Sequence, residues 1–166
     1  MRDNKTGLRI RREYHALVAV TLILILCACG SGGGTAGDGT GGGSQSSDPA
    51  AAQQCVDTIN QYRAGVGLPA LARWTDGEGC ADEEAESDSA SGEFHGAFGS
   101  CGESAQNECP DYDSVSRVID VCLELMWDEG PGGGHYDNMT NTSYAEVACG
   151  FATKSDGLIW SVQNFR

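Results

Sequence analysis

The chain has 166 residues, including 24 Gly and 8 Cys, and a formal net charge of -14. That length fits one domain and excludes a large multidomain enzyme, and so acidic a surface repels phosphate backbones, which excludes nucleic acid as a partner. Hydrophobic residues make up 40%, enough to build a core and to exclude wholesale disorder.

Residues 1–28 read as an export address. Five basic groups (Arg2, Lys5, Arg9, Arg11, Arg12) precede an apolar run from Ala16 to Leu26, followed by Cys27, Ala28, Cys29 and Gly30. A basic start, a short apolar stretch and small residues are the parts of a secretory signal. The run is shorter than the roughly 20 residues a membrane span needs. His15 lies inside the signal and needs no function. Leu26-Cys27-Ala28-Cys29 resembles a bacterial lipobox, which implies cleavage before Cys29 and lipid on its thiol and new amine. Acyl chains contribute about 0.8 kcal/mol per buried methylene, so several of them anchor a protein to a membrane. The alternative is ordinary cleavage and a soluble secreted product. Residues 29–51 are rich in Gly, Ser and Thr and read as a flexible spacer.

The folded domain is expected over 52–166. Residues 52–65 are predicted helical, with Cys55, Ile59, Tyr62 and Val66 on one face and Gly65, Gly67 and Pro69 ending the helix. A second helix is expected from about Thr75 to Ala90, on a thin apolar stripe of Cys80, Ala81 and Ala85. Glu93 to Pro110 is rich in Gly and turn residues and reads as loop. Asp113 or Ser114 can cap a third helix, whose stripe is Val115, Val118, Ile119, Cys122 and Met126. Gly130 to Gly134, with Pro131 inside, ends it. Strands are expected over Tyr144 to Ala152 and Leu158 to Phe165, joined at Asp156-Gly157 as a hairpin. Mixed helices and an antiparallel pair indicate an α+β fold with helices covering a small sheet.

Setting aside Cys27 and Cys29, the domain holds Cys55, Cys80, Cys101, Cys109, Cys122 and Cys149. An even number in an exported domain reads as three disulfides, with 15 possible pairings. Cys101 and Cys109 are close enough in sequence to clip one loop, and that pairing is favoured. No CxxC pair suggests a zinc site.

The domain has two histidines, His95 and His135, both in Gly-rich segments. Glu103 follows the first and Glu129 precedes the second. Imidazoles and carboxylates can hold a metal or move protons. Spacing alone does not distinguish such a site from two loop histidines on an acidic face.

Five blocks in order add to this. They are Ile59-Asn60-Gln61-Tyr62-Arg63 with Gly67-Leu68-Pro69-Ala70-Leu71 and Trp74; Cys101-Gly102-Glu103-Ser104; Met126-Trp127-Asp128-Glu129; Gly134-His135-Tyr136; and Val147-Ala148-Cys149-Gly150-Phe151. Together they resemble the CAP superfamily, also called SCP-like, of cysteine-rich secretory, antigen 5 and pathogenesis-related proteins. Ile59 stands where that pattern usually has His, and Ser104 where it usually has Asn. The resemblance implies a three-layer α-β-α sandwich with a surface cleft. It also implies a tetrad of His95, Glu103, Glu129 and His135, in which the two histidines hold a divalent metal such as zinc. Glu108 competes with Glu103 for its place, because Gln106-Asn107-Glu108 aligns as well; Cys101-Gly102 favours Glu103.

Three functions fit the resemblance. One is an exported binding module in the bacterial envelope, held by an N-terminal lipid, for a lipid, sterol, peptide or other envelope ligand. The second is a metal-assisted hydrolase with Glu103 or Glu129 as base. The third is a structural envelope protein with a vestigial tetrad. Trp127, Tyr136 and Trp160 could line a groove, although core positions are the commoner fate of such residues. Asn138 and Asn141 begin glycosylation sequons that read as turns in a bacterial lipoprotein.

Overall fold

The computed structural model describes residues 46–166. The export signal, Cys29 and the spacer up to residue 45 lie outside the described residues. Helix α1 spans Pro49–Gly65, so three residues read as spacer belong to the domain. Asp48 caps it, its Oδ1 accepting from the Ala51 amide at 3.0 Å, and Pro49 occupies the first turn, where a missing N–H costs nothing. The amide of Ser47 donates to Asp82 at 2.6 Å, which ties this end of the spacer to the second helix.

The remaining elements are β1 (Ala72–Arg73), α2 (Thr75–Ser91), β2 (Ala105–Tyr112), α3 (115–128), α4 (Gly134–Thr140), β3 (Glu146–Thr153) and β4 (Ile159–Phe165). α3 has α-helical ends around one π-helical turn, Val118–Cys122. Its cap is Ser114, as expected. The sheet order is β1-β3-β4-β2, with β1 parallel to β3 and the other pairs antiparallel. β3 and β4 form the hairpin anticipated at Asp156-Gly157, where Gly157 takes a φ of 86°.

Helices cover both faces, giving three layers. On one face α1, α3 and α4 enclose the larger core, with Cys55, Val56, Ile59, Ile119, Leu123, Met139, Val147 and Phe165. On the other, α2 packs on Trp74, Ala148, Trp160 and Val162 through Ala81 and Ala85. The helix lies very close to the sheet: a Cβ at Gly150 would sit 2.1 Å from the backbone carbon of Ala81. Only glycine fits there, which explains why α2 needs so thin an apolar stripe. It also buries carboxylates. Glu78 is paired with the Arg73 guanidinium at 2.5 and 2.8 Å, while Glu84 and Asp88 face the sheet.

Two expectations are corrected. Ala105–Tyr112 is a strand and not loop. Its polar run Gln106-Asn107-Glu108 hid the alternation, because here the inward side chains are themselves polar and bonded to buried partners. Pro110 is tolerated because β2 is an edge strand, paired only with β4. The disulfides are Cys55–Cys149, Cys80–Cys101 and Cys109–Cys122, so the Cys101–Cys109 clip does not form. The sheet separates the two: Cys109, on β2, is buried in the larger core, whereas Cys101, in the loop before β2, packs on the α2 side. Two bridges staple a helix to the sheet, and Cys80–Cys101 ties α2 to the loop that follows it.

Candidate functional site

The site is organised by the edge strand β2, whose alternating side chains reach opposite faces. Gln106 and Glu108 point toward α2, and Asn107 toward α4. His95 sits in the loop between α2 and β2, exposed, with a left-handed φ of 56°. Such a conformation is uncommon outside glycine and persists where surrounding contacts hold it. Here they do. The His95 amide donates to Glu108 Oε1 at 2.9 Å, and Nδ1 of its ring lies 2.9 Å from Gln106 Oε1.

The proton positions follow from the partners. Gln106 Nε2 donates to Glu84 Oε2 at 3.0 Å and to Asn164 Oδ1 at 3.1 Å. Its Oε1 is therefore the acceptor, and His95 Nδ1 carries the hydrogen. The lone pair of the neutral ring is then on Nε2.

His135 begins the short helix α4 on the other side of β2. Asn107 Nδ2 donates to its carbonyl at 3.2 Å. Glu129, just after α3, accepts from the His135 amide at 3.1 Å and from ring Nδ1 at 2.6 Å. Desolvation alone would raise the Glu129 carboxyl, but the bonds and charge of His135 outweigh it and hold the group below the usual carboxylate range. Glu129 is thus a carboxylate that accepts from His135 Nδ1–H, and it is only in the uncharged ring that Nε2 has the lone pair. Gly133 permits the pair: a Cβ there would come 2.7 Å from Glu129 Oε2 and 2.4 Å from its Cβ.

Beside His95 lies a cavity of about 310 Å³ lined by His95, Phe98, Ser104, Ala105, Gln106 and Asn138; His135 and Glu129 are not in its lining. Asn138 follows His135 by about one turn of α4 and donates to the Gln106 carbonyl at 3.3 Å and to Asn107 Oδ1 at 2.9 Å. It thereby fastens α4 to the strand. Phe94 and Phe98 flank His95 and are both exposed, at 60% and 48%.

The four tetrad candidates separate into two sets. Glu129 and His135 are in direct contact. His95 meets Glu108, whose Oε1 is 3.7 Å from its Nδ1, and not Glu103. Glu103 is buried and accepts from the amides of Gly99 and Cys101, the latter at 3.1 Å, so it shapes the loop. In the sequence Gln106 and Asn107 stand out only as neighbours of Glu108, and Asn138 only as the start of a sequon, so none of the three reads as a site residue. The signal was present as two faces of one strand, hidden by reading β2 as loop.

Beneath the site is a buried acidic layer. Burial, then the neighbouring Asp88, raises the Glu108 carboxyl to about 8. Burial, together with the nearby Glu103 charge and against the bond from Asn164, raises Glu84 to about 7. Near neutrality Glu108 is mostly protonated and Glu84 partly so, which spares the interior up to two charges.

A metal needs converging donors. Among the described residues, one set of three His, Cys, Asp or Glu donor atoms lies within a mutual 4.8 Å: Cys80, Glu84 and Cys101. Its sulfurs are joined to each other in a disulfide. Neither His95 nor His135 belongs to that set. Their Nδ1–H bonds to Gln106 and Glu129 fix the orientation of each ring.

Residues 56–165 match the model of the cysteine-rich secretory protein family (CAP), and the chain belongs to that family. Solved structures agree on the fold. An outer surface protein of Borrelia burgdorferi superposes with a TM-score of 0.53 at 17% identity, covering 74% of this chain and 96% of that one. Hookworm platelet inhibitor gives 0.50 at 13% identity, with coverages of 74% and 72%. No curated protein sequence matches the chain. The α-β-α sandwich is therefore the CAP fold. Its three disulfides belong to proteins of oxidising, extracytoplasmic compartments.

Proposed function

We infer that this CAP domain is an exported binding module, tethered to the bacterial envelope through lipid on Cys29. Its cleft takes a small amphipathic ligand. Phe98 and Ala105 offer an apolar wall. His95, Gln106 and Asn138 offer polar contacts. A divalent ion such as zinc would be held by Nε2 of His95 and His135, water completing its shell, and would supply a positive charge for an anionic head group.

One observation carries the reading: two imidazoles flank the same edge strand, each with Nδ1 tied to an oxygen and Nε2 left for a ligand. It also favours binding over hydrolysis. Both carboxylates considered as bases are engaged, Glu103 by two loop amides and Glu129 by the amide and ring of His135. Glu103, buried and turned to the loop, is not placed to activate a water.

The test is titration of the full chain with a fluorescent long-chain fatty acid, with and without zinc. The expected result is saturable binding, weakened several-fold by Phe98→Ala and by omission of zinc. Equal binding by the wild type and Phe98→Ala would refute the cleft as the site. Ester or peptide turnover lost in His135→Ala would favour hydrolysis instead.

A further inference from the structure

The three disulfides are unequally placed. Cys55, Cys109, Cys122 and Cys149 are buried in the larger core. Cys80 and Cys101 are both partly exposed, and Cys80 opens onto a cavity of about 220 Å³ with Glu83, Glu84, Ser87, Ala97 and Ser100. This is also the bridge that clamps the His95 loop. It ties α2 to the end of residues 92–104, the segment that carries His95 and Phe98.

A proton source stands beside it. Glu84, one turn along α2 from Cys80, has an oxygen within 4.8 Å of both sulfurs. Glu84 is buried, its Oε1 has no hydrogen-bond partner, and among the described residues no cation pairs with it. Glu103 faces it from the loop, Gln106 from β2 and Asn164 from β4, the last at 2.5 Å. The other acidic groups of this layer are Asp88 on α2 and Glu108 on β2. With only acidic and neutral groups around it, burial keeps this carboxyl protonated near neutral pH.

We propose that Cys80–Cys101 is an exchangeable bridge, opened by an external thiolate that enters the cavity at Cys80 while Glu84 protonates the departing sulfur of Cys101. The incoming sulfur bonds to Cys80 Sγ and the S–S bond breaks. Its electron pair leaves on Cys101, which takes the Glu84 proton. The second thiol of a dithiol reductant then attacks the mixed disulfide and frees Cys80. Two electrons pass from the dithiol, which leaves as its own disulfide. Glu83, exposed at the cavity, favours cationic thiols over anionic ones. Opening the bridge unties the His95 loop from α2. That consequence for the cleft rests on the binding function inferred above; the exchange chemistry does not.

The experiment treats the native full chain with dithiothreitol, alkylates with iodoacetamide and maps each cysteine by mass. Cys80 and Cys101 are expected to label at least about tenfold faster than the other four. Equal labelling of all six would overturn the proposal. Divided by the thiolate fraction, the wild-type rate is expected to fall above about pH 7, as Glu84 loses its proton. In Glu84→Gln that fall disappears and the rate drops several-fold. A wild-type profile with no such fall, or a Glu84→Gln rate and profile equal to the wild type, would remove Glu84 from the step. After selective reduction, the amides of Ala97, Gly99 and Cys101 are expected to exchange hydrogen faster, and unchanged protection would refute loop release. None of these readouts uses a ligand, so failed ligand binding in the cleft and failed exchange are distinguishable.

Discussion

Gln106 Oε1 lies 2.9 Å from His95 Nδ1, while the same amide group donates to Glu84 and Asn164. One side chain therefore joins the exposed histidine to the buried acidic layer and fixes which ring nitrogen faces outward. Gln106→Leu removes the orienting acceptor and leaves the imidazole free to turn. Zinc affinity is expected to fall about 10-fold to 100-fold, the usual range for lost outer contacts to a ligating histidine. Isothermal calorimetry at neutral pH measures it. The stability cost is expected to be about 1–3 kcal/mol, since Glu84 and Asn164 each lose a buried partner.

Gly133 gives a second, independent handle on the other histidine. Gly133→Ala places a methyl carbon 2.4 Å from Glu129 Cβ, so the carboxylate must leave its place. The Glu129–His135 bond is then lost. Zinc affinity should fall by a similar factor, while the far-UV circular dichroism stays that of the parent, because the pair sits at the surface.

The buried acids set an unusual pH dependence. Glu84 and Glu108 have folded pKa values raised to about 7 and about 8, so the folded state binds more protons than the unfolded one across that window. Their stabilising contribution is complete below the unfolded carboxylate value and is lost as pH rises through 7 and 8. Unfolding free energies from urea titration should therefore be higher at pH 5 than at pH 8.5, by an amount on the order of a few kcal/mol. Glu108→Gln should flatten that slope. Glu129 acts in the opposite sense. Its lowered value gives stability that is present above the usual carboxylate range and lost in stronger acid.

The contact of α2 with the sheet is tested at Gly150. Gly150→Ala drives a carbon to within 2.4 Å of three α2 backbone atoms, which no rotamer change relieves. Overpacking of this kind typically costs about 1–3 kcal/mol, and a rigid backbone neighbour puts this case at the upper end. Thermal unfolding of the disulfide-intact protein reads the loss.

Much of this molecule was legible in the sequence, and what was hidden has a common cause. α1, α3 and the β3–β4 hairpin announced themselves through apolar stripes, caps and the Asp156-Gly157 turn, because their buried sides are hydrophobic. α2 and β2 bury polar groups against each other: Glu84 meets Gln106 and Asn164, and Asp88 meets the Ala97 amide. Hydrophobic periodicity carries no trace of such a layer, so β2 read as loop. The same gap hid the partner of His95. Glu103 and Glu108 both stood near it in sequence; Glu108, on the α2 side of β2, reaches it, while Glu103, in the loop before β2, turns back to the Gly99 and Cys101 amides. The disulfide pairing was hidden for that reason too, since Cys109 lies on the opposite face of β2 from Gln106 and Glu108. The contact between Glu129 and His135 was suggested by the motifs and not by their spacing, since Gly133 provides the room.

The most direct measurement is a calorimetric zinc titration of the folded chain near neutral pH, comparing the wild type with His95→Ala, His135→Ala and the double variant. One ion per chain is expected for the wild type, with binding lost in each single variant and the melting temperature of the zinc-free proteins unchanged. Identical titrations for the wild type and the double variant would contradict a shared site at the edge of the sheet.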